Sequence, residues 1–213
     1  GCGTKGRRRM IRKVSSGERM VLASHNAGKL REISALLGPY GIDVTSAGVL
    51  GLSEPEETED TFAGNARLKA HFAARETGLV ALSDDSGIEV DALDGAPGVY
   101  TADWAETGQG RDFMMAMTRT WRELEERNAP EPRTGRFVCT LCLAWPDGHD
   151  QIYRGEAGGR LVWPPRGEQG FGYDPMFLPD GQTLTFGEMP YAQKEPLSHR
   201  SAAFKLLTAQ AFG

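Results

Sequence analysis

The sequence predicts an α/β protein: a mixed β-sheet with flanking helices. Three observations carry that expectation. Short apolar strand candidates alternate with helical periodicity through the first half, the pattern of strands joined by crossover helices. Two longer strand candidates joined by "PDG" dominate the second half and add an antiparallel hairpin. The chain has 213 residues, 39% of them hydrophobic, enough for one large core or two small lobes.

The elements follow in order. Residues 20–24 form a short apolar strand. Ala27 to Leu37 form a helix with Leu30, Ile33, Ala35, Leu36 and Leu37 on its apolar face, and Gly38-Pro39 is expected to stop it cleanly. Ile42 to Ser46 is a second strand. The acidic loop "SEPEETEDT" follows, and Asp60 or Thr61 caps a helix that runs to about Glu76, before Gly78. "LVALS" (79–83) is a buried-type strand entering Asp84-Asp85-Ser86-Gly87; "IEVDAL" continues it and "DGAPG" turns. A helix from about Arg111 to Arg127 carries Phe113, Met117, Trp121 and Leu124 at helical spacing. Strands at about 135–145 and 150–156 form the hairpin. "GGRLVWPPRGEQGFGYDP" is too rich in Gly and Pro for regular structure, and a last helix begins near Ser198.

Composition narrows the function classes. No apolar run approaches the ~18–20 residues of a membrane helix, and no apolar stretch follows the basic start as a secretory leader requires. The cytoplasm is the expected compartment. Residues 1–19 are expected to be a flexible tail or a tag remnant ahead of one domain over 20–213. One basic run on a chain of net charge −5 does not make a nucleic-acid arm. Cys139 and Cys142 spell C-x-x-C, but in a strand a spacing of three puts them on opposite faces, which excludes a shared metal or disulfide.

The candidate chemistry lies in five places. In "VLASHNAGKL", a strand ends in Ser24-His25-Asn26-Ala27-Gly28-Lys29 at a strand-to-helix turn, as a phosphate cradle does. It is not a P-loop, because Ala23 stands five before Gly28 where the first glycine is required and Leu30 replaces the hydroxyl residue. Asp84 and Asp85 end an apolar strand, where open α/β sheets place ligands; one is expected to face the site and the other to support the turn. Mg²⁺ takes one or two carboxylates plus substrate phosphates, so Glu56 or Glu57 with Asp85 would make a site. Phe62, Asn65, Lys69 and Phe72 share one helix face, and Lys69 either snorkels to water or reaches an anion. Phe171-Gly172-Tyr173-Asp174 sets aromatics among glycines, fit to stack on a base, and Lys194 with His199-Arg200 brings donors to the start of the last helix.

These motifs, in this order from Met20 to Leu207, resemble the inosine/xanthosine triphosphate pyrophosphatase (Ham1-like) family. "SHNAGK" is similar to its [ST]-x-N-x-x-K signature, "EETEDTFAGNARLKA" to its acidic loop and first long helix, and "LSDDSGIEVDALDGAPGVYTADWA" to its most recognisable block. "GFGYDPMF" and "LSHRSAA" complete the set. The resemblance implies an elongated mixed sheet with two lobes around a central cleft, a homodimer, and Mg²⁺-dependent hydrolysis of ITP, dITP and XTP to monophosphate and pyrophosphate. It implies Asp85 as general base and metal carboxylate, with Glu56 or Glu57 as partner. It implies that Ser24 to Lys29, Lys69 and Ser86 lie along the triphosphate. Phe171 to Asp174, Lys194, His199 and Arg200 would hold the base and the neighbouring phosphate. Ser83 departs from the family's usual Ala, and Asp103 stands where an Arg is common. The alternatives are a pyrophosphatase for other modified nucleotides and a non-catalytic nucleotide-binding protein.

Overall fold

A computed structural model describes residues 11–213. Its sheet has six strands in the order β2-β1-β3-β4-β5-β6: β1 Arg19–Leu22, β2 Asp43–Ser46, β3 Val80–Val90, β4 Thr134–Ala144, β5 Asp150–Leu161 and β6 Phe177–Pro179. β1 runs parallel to β2 and β3, while the β3–β6 neighbours are antiparallel. The helices are α1 Ala27–Leu37, α2 Phe62–Thr77, α3 Phe113–Glu126, a short α4 Tyr191–Lys194 and α5 His199–Ala211. The mixed α/β sheet with flanking helices is the architecture the sequence implies.

The helix starts follow capping chemistry. Asn26, Thr61, Asp112 and Ser198 each accept a backbone N–H of the first turn of α1, α2, α3 and α5. Of the two expected caps for α2, Thr61 is the one used, and Gly78 closes that helix at φ 70°.

The core divides along the sheet. One cluster joins Met20, Leu22, Ile33, Leu37, Leu141 and Leu207 between the sheet and α1 and α5. On the opposite face, Ala66, Ala70, Ala73 and Ala74 of α2 meet Val21, Ala81, Cys142 and Ala144. So many alanines let α2 lie close to the sheet. A separate cluster of Ile88, Val90, Leu124, Phe137, Phe177 and Phe186 fills the far end under α3. Cys139 sits in the first cluster and Cys142 in the second, on opposite faces as their spacing requires.

Four expectations need correction. Gly38-Pro39 does not stop α1 cleanly; the chain tightens into a 3₁₀ turn over Gly38–Tyr40, and Gly41 at φ 74° supplies the left-handed exit. The "DDSG" stretch is no turn, since β3 runs unbroken through it. "GGRL" belongs to β5, where Gly155 and Gly159 admit the backbones of α5 and β6. The described part of the expected tail is anchored: Val14 is buried and its N–H donates to Ala211, while Arg12 pairs with Asp147. Residues 1–10 lie outside the described residues.

Candidate active site

The cleft exists because β1 is short. β1 pairs with β3 only as far as Leu82, whereas β4 follows the other side of β3 to Val90. From Ser83 onward, one edge of β3 therefore has no strand beside it. Lys69 of α2 donates to the Asp84 carbonyl on that edge, and Thr101 accepts the Ile88 N–H. Gly87 makes the approach possible: a Cβ there would lie 2.6 Å from the Gly98 carbonyl oxygen. The opening holds a cavity of about 450 Å³ lined by Asp84 to Gly87 and by Phe113, Phe137, Phe171, Lys194 and His199. A smaller arm of about 220 Å³ runs toward Ser24, His25 and the 53–57 loop; Lys29, Glu57, Lys69 and Asp84 line both.

Charge is concentrated where the arms meet. Lys29 Nζ sits 2.7 Å from Asp84 Oδ2, and Lys69 Nζ lies 3.0 Å from Glu57 Oε1 and 4.0 Å from Asp85 Oδ1. Burial pushes the Asp84 carboxyl up, but Lys29, with Lys69 and Arg200, overcomes it and holds the group below its usual value. Burial likewise pulls Lys69 down, and Asp84, Asp85 and Glu57 outweigh it, so Lys69 stays charged. Asp85 goes the other way. Burial raises it to about 7 against the pull of Lys69, with Glu57 and Asp84 adding to the rise. Two adjacent carboxylates thus differ in proton affinity because one has its own lysine. A carboxyl poised near neutrality can exchange a proton at physiological pH.

The aromatic wall combines exposed and fixed groups. Phe171 is 71% exposed with its edge against Phe113 at 5.0 Å between centroids. Tyr173 is buried, and its hydroxyl donates to the Thr101 carbonyl at 2.8 Å. Asp174 is buried as well; it accepts the Phe171 N–H and pairs with Lys194, so it braces the loop. His199 stacks on Phe137 at 5.1 Å, and burial, with Lys194 and Arg200, lowers its pKa to about 4. It stands neutral, with one N–H to donate.

Most of the sequence-derived candidates converge here, though not all. Ser24, His25, Lys29, Glu57, Lys69, Asp85, Ser86, Phe171 to Asp174, Lys194 and His199 line the cavity. Glu56 does not. Asn26, Ala27 and Gly28 are not lining residues either: the Asn26 side chain accepts the Gly28 and Lys29 N–H groups and caps α1. Arg200 lies behind Asp84 with its guanidinium 2.9 Å from Glu32. Both aspartates line the cleft, because β3 has an open edge there rather than a turn. Sequence reasoning left Thr101 and Phe137 out of the site, and it gave no role to Asn65, which brackets Glu59 by taking its N–H and donating to its carbonyl. The buried Asn65 beside an acidic loop was the available signal. Ser83, an outlier in its motif, donates to the Ala66 carbonyl and ties β3 to α2. Asn26→Ala is expected to lower stability by about 1 kcal/mol, a fall of roughly 2–4 °C in Tm, readable by thermal unfolding.

The donor set also suits a divalent cation. Glu57 Oε1 and Asp85 Oδ1 both turn toward the same point, now held by the Lys69 ammonium, as two hard oxygen ligands of one cation would. Among the described residues no group of three or more His, Cys, Asp or Glu could hold a metal. Two carboxylates without a full protein cage match Mg²⁺, which keeps room for water and substrate phosphates.

Cations spread along two arms, beside a carboxyl near neutrality and an aromatic wall, are what a phosphorylated, flat ligand needs. The fold and cleft thus define an α/β protein with a cleft suited to a polyanion beside a carboxyl poised near neutrality. The chain belongs to the Ham1 family, whose sequence model matches residues 20–210. It is 61% identical over 197 residues to a dITP/XTP pyrophosphatase of Ruegeria pomeroyi, covering 92% of this chain and 97% of the relative. A dITP/XTP pyrophosphatase of Brucella melitensis is 56% identical over 212 residues, with 94% and 96% covered. Among solved structures, a HAM1 protein from Coxiella burnetii superposes with a TM-score of 0.84 at 34% identity, covering 90% of this chain and 97% of that one.

Proposed function

We propose that this protein hydrolyses non-canonical purine nucleoside triphosphates (ITP, dITP and XTP) to the monophosphate and pyrophosphate, with Mg²⁺, and so cleanses the nucleotide pool of the cytoplasm. Residues 20–213 act as one two-lobed unit, assembled as a homodimer, with no nucleic acid or membrane as partner. Among the described residues no helix is long and apolar enough to cross a membrane. The observation that carries the reading is Asp85, a mostly buried carboxyl held near neutrality beside Lys69, in a chain whose close relatives are named dITP/XTP pyrophosphatases.

Glu57 and Asp85 would hold the metal; Glu57, not Glu56, lines the cavity. When bound, Mg²⁺ supplies positive charge to the phosphate oxygens and acidifies water. Asp85 takes the proton of the water that attacks the α-phosphorus, and pyrophosphate leaves. Lys29 and Lys69 stabilise the charge developing on the leaving group, and their fixed ion pairs pre-orient them. Phe171 offers a ring face to the purine. His199 donates its single N–H to a 6-oxo group; an adenine amino group would meet a donor instead. Arg200, engaged with Glu32, acts behind the site rather than on the base.

A panel of ITP, dITP, XTP, ATP and modified pyrimidine triphosphates tests this, with products identified as monophosphate and pyrophosphate. The 6-oxopurines are expected to dominate, and chelation of Mg²⁺ by EDTA to stop release. Equal turnover of ATP and ITP would sink the assignment.

A further inference from the structure

The sheet register sets Thr140 of β4 directly opposite Asp85 of β3, with Arg154 of β5 opposite Thr140. Directly opposed residues project to the same face, so Asp85 and Thr140 are neighbours on the side that α2 covers. Thr140 is 1% exposed, and its hydroxyl has no hydrogen-bond partner. Asp85 Oδ2 is buried and lacks one too. An unpartnered buried donor beside an unpartnered buried acceptor is a costly pair of coincidences, since native proteins satisfy such groups. The other cross-strand neighbour is no acceptor: the Arg154 guanidinium is engaged with Glu89 and Glu156.

We propose that Thr140 is a positioning residue for the reaction: its hydroxyl donates to Asp85 Oδ2 and fixes the carboxylate, leaving Oδ1 to face Lys69 and receive the proton. This rests on Asp85 being the general base. The structure leaves the two atoms unbonded, and a side-chain rotation brings them together. Opposed residues in an antiparallel pair have Cβ atoms about 4.5–5.5 Å apart. Rotation of two short side chains spans that gap to an O–H···O bond of about 2.7 Å. The mounting is rigid, because Thr140 lies in a strand paired on both sides. Asn65 and Lys69 hold the carboxylate from the α2 side; without the Thr140 bond nothing fixes it from the sheet side.

The test is steady-state kinetics on dITP with Mg²⁺ and thermal unfolding, for Thr140→Val, Thr140→Ser, Thr140→Ala and Asp85→Asn. Thr140→Val keeps the shape and drops only the hydroxyl. It is expected to lower kcat by about ten- to hundredfold, the usual effect of losing an outer partner of a site ligand. KM should hold within about twofold, and Tm should fall by only a few degrees, since Val keeps the packing and removes one hydrogen bond. Thr140→Ser, which restores the hydroxyl, should restore kcat. If Thr140→Val does not fold, Thr140→Ala carries the same comparison. Wild-type kcat in Thr140→Val, or a loss that Thr140→Ser does not recover, overturns the positioning role. Should Asp85→Asn itself keep its activity, the base assignment falls and Thr140 with it; an inactive Asp85→Asn beside a fully active Thr140→Val overturns the positioning role alone.

Discussion

Asp85→Asn is expected to abolish turnover and yet make the protein more stable above pH 7. Asn keeps the size and polarity of the side chain but accepts no proton, and loss of a general base costs about 10²–10⁴-fold in rate; its loss as a metal ligand adds to that. The stability effect follows from linkage. The Asp85 pKa is raised from 3.8 in the unfolded chain to about 7 in the fold, mainly by burial. A raised group contributes stability that is fully present below the unfolded value and is lost as pH rises through the folded one. At pH 8 the folded protein therefore carries a buried charge at a cost of a few kcal/mol, since each tenfold change in proton affinity is worth about 1.4 kcal/mol. Asn removes that cost. In EDTA-containing buffer, Tm of the variant should exceed that of the parent at pH 8, and the gap should shrink as pH falls and close only below about pH 4, the unfolded value. Retained activity, or a variant less stable at pH 8, would contradict the picture of a carboxyl kept against its solvation preference for catalysis.

That carboxyl illustrates what the sequence could and could not reveal. Local chemistry was legible: the Asn26 and Ser198 caps, the 27–37 helix and the opposed faces of Cys139 and Cys142 follow from spacing and side-chain type. The motifs also pointed to the right cleft. Which of two neighbouring residues does the work was not legible, because it depends on where the chain ends beside them. Asp84 and Asp85 both line the cleft only because β1 stops at Leu82. Glu57 is chosen over Glu56 by its contact with Lys69, which lies on a different element. Lys69 itself, equally able to snorkel outward, is drawn inward by three carboxylates. Gly158 and Gly159 of β5 misled for a related reason. In composition they argue against a strand, whereas in the fold they are the places where another backbone comes close.

Gly155→Ala tests that reading and should be among the most damaging single-methyl changes in the molecule. A Cβ at Gly155 would stand 2.2 Å from the His199 carbonyl oxygen and 2.3 Å from the Ala203 nitrogen. Both are backbone atoms of the first turns of α5, so no side-chain rotation relieves the overlap and the helix must shift away from β5. Overpacking of this kind costs about 3 kcal/mol or more, which corresponds to a fall in Tm of roughly 6–12 °C for a chain of this size. Because α5 begins at His199, the same shift moves the donor that faces the cleft, and kcat/KM for dITP should fall beyond what unfolding accounts for at 25 °C. Gly38→Ala is the control. Gly38 has helical backbone angles and nothing within 4 Å of its added Cβ, so Ala there should stabilise by about 0.4–1 kcal/mol through the unfolded chain. Opposite signs for the same methyl group, measured by thermal and denaturant unfolding, would separate glycines that serve close packing from those that do not. If both variants unfold at the parent's temperature, α5 is not seated on β5 at this distance, and the place of His199 in the cleft would have to be drawn again.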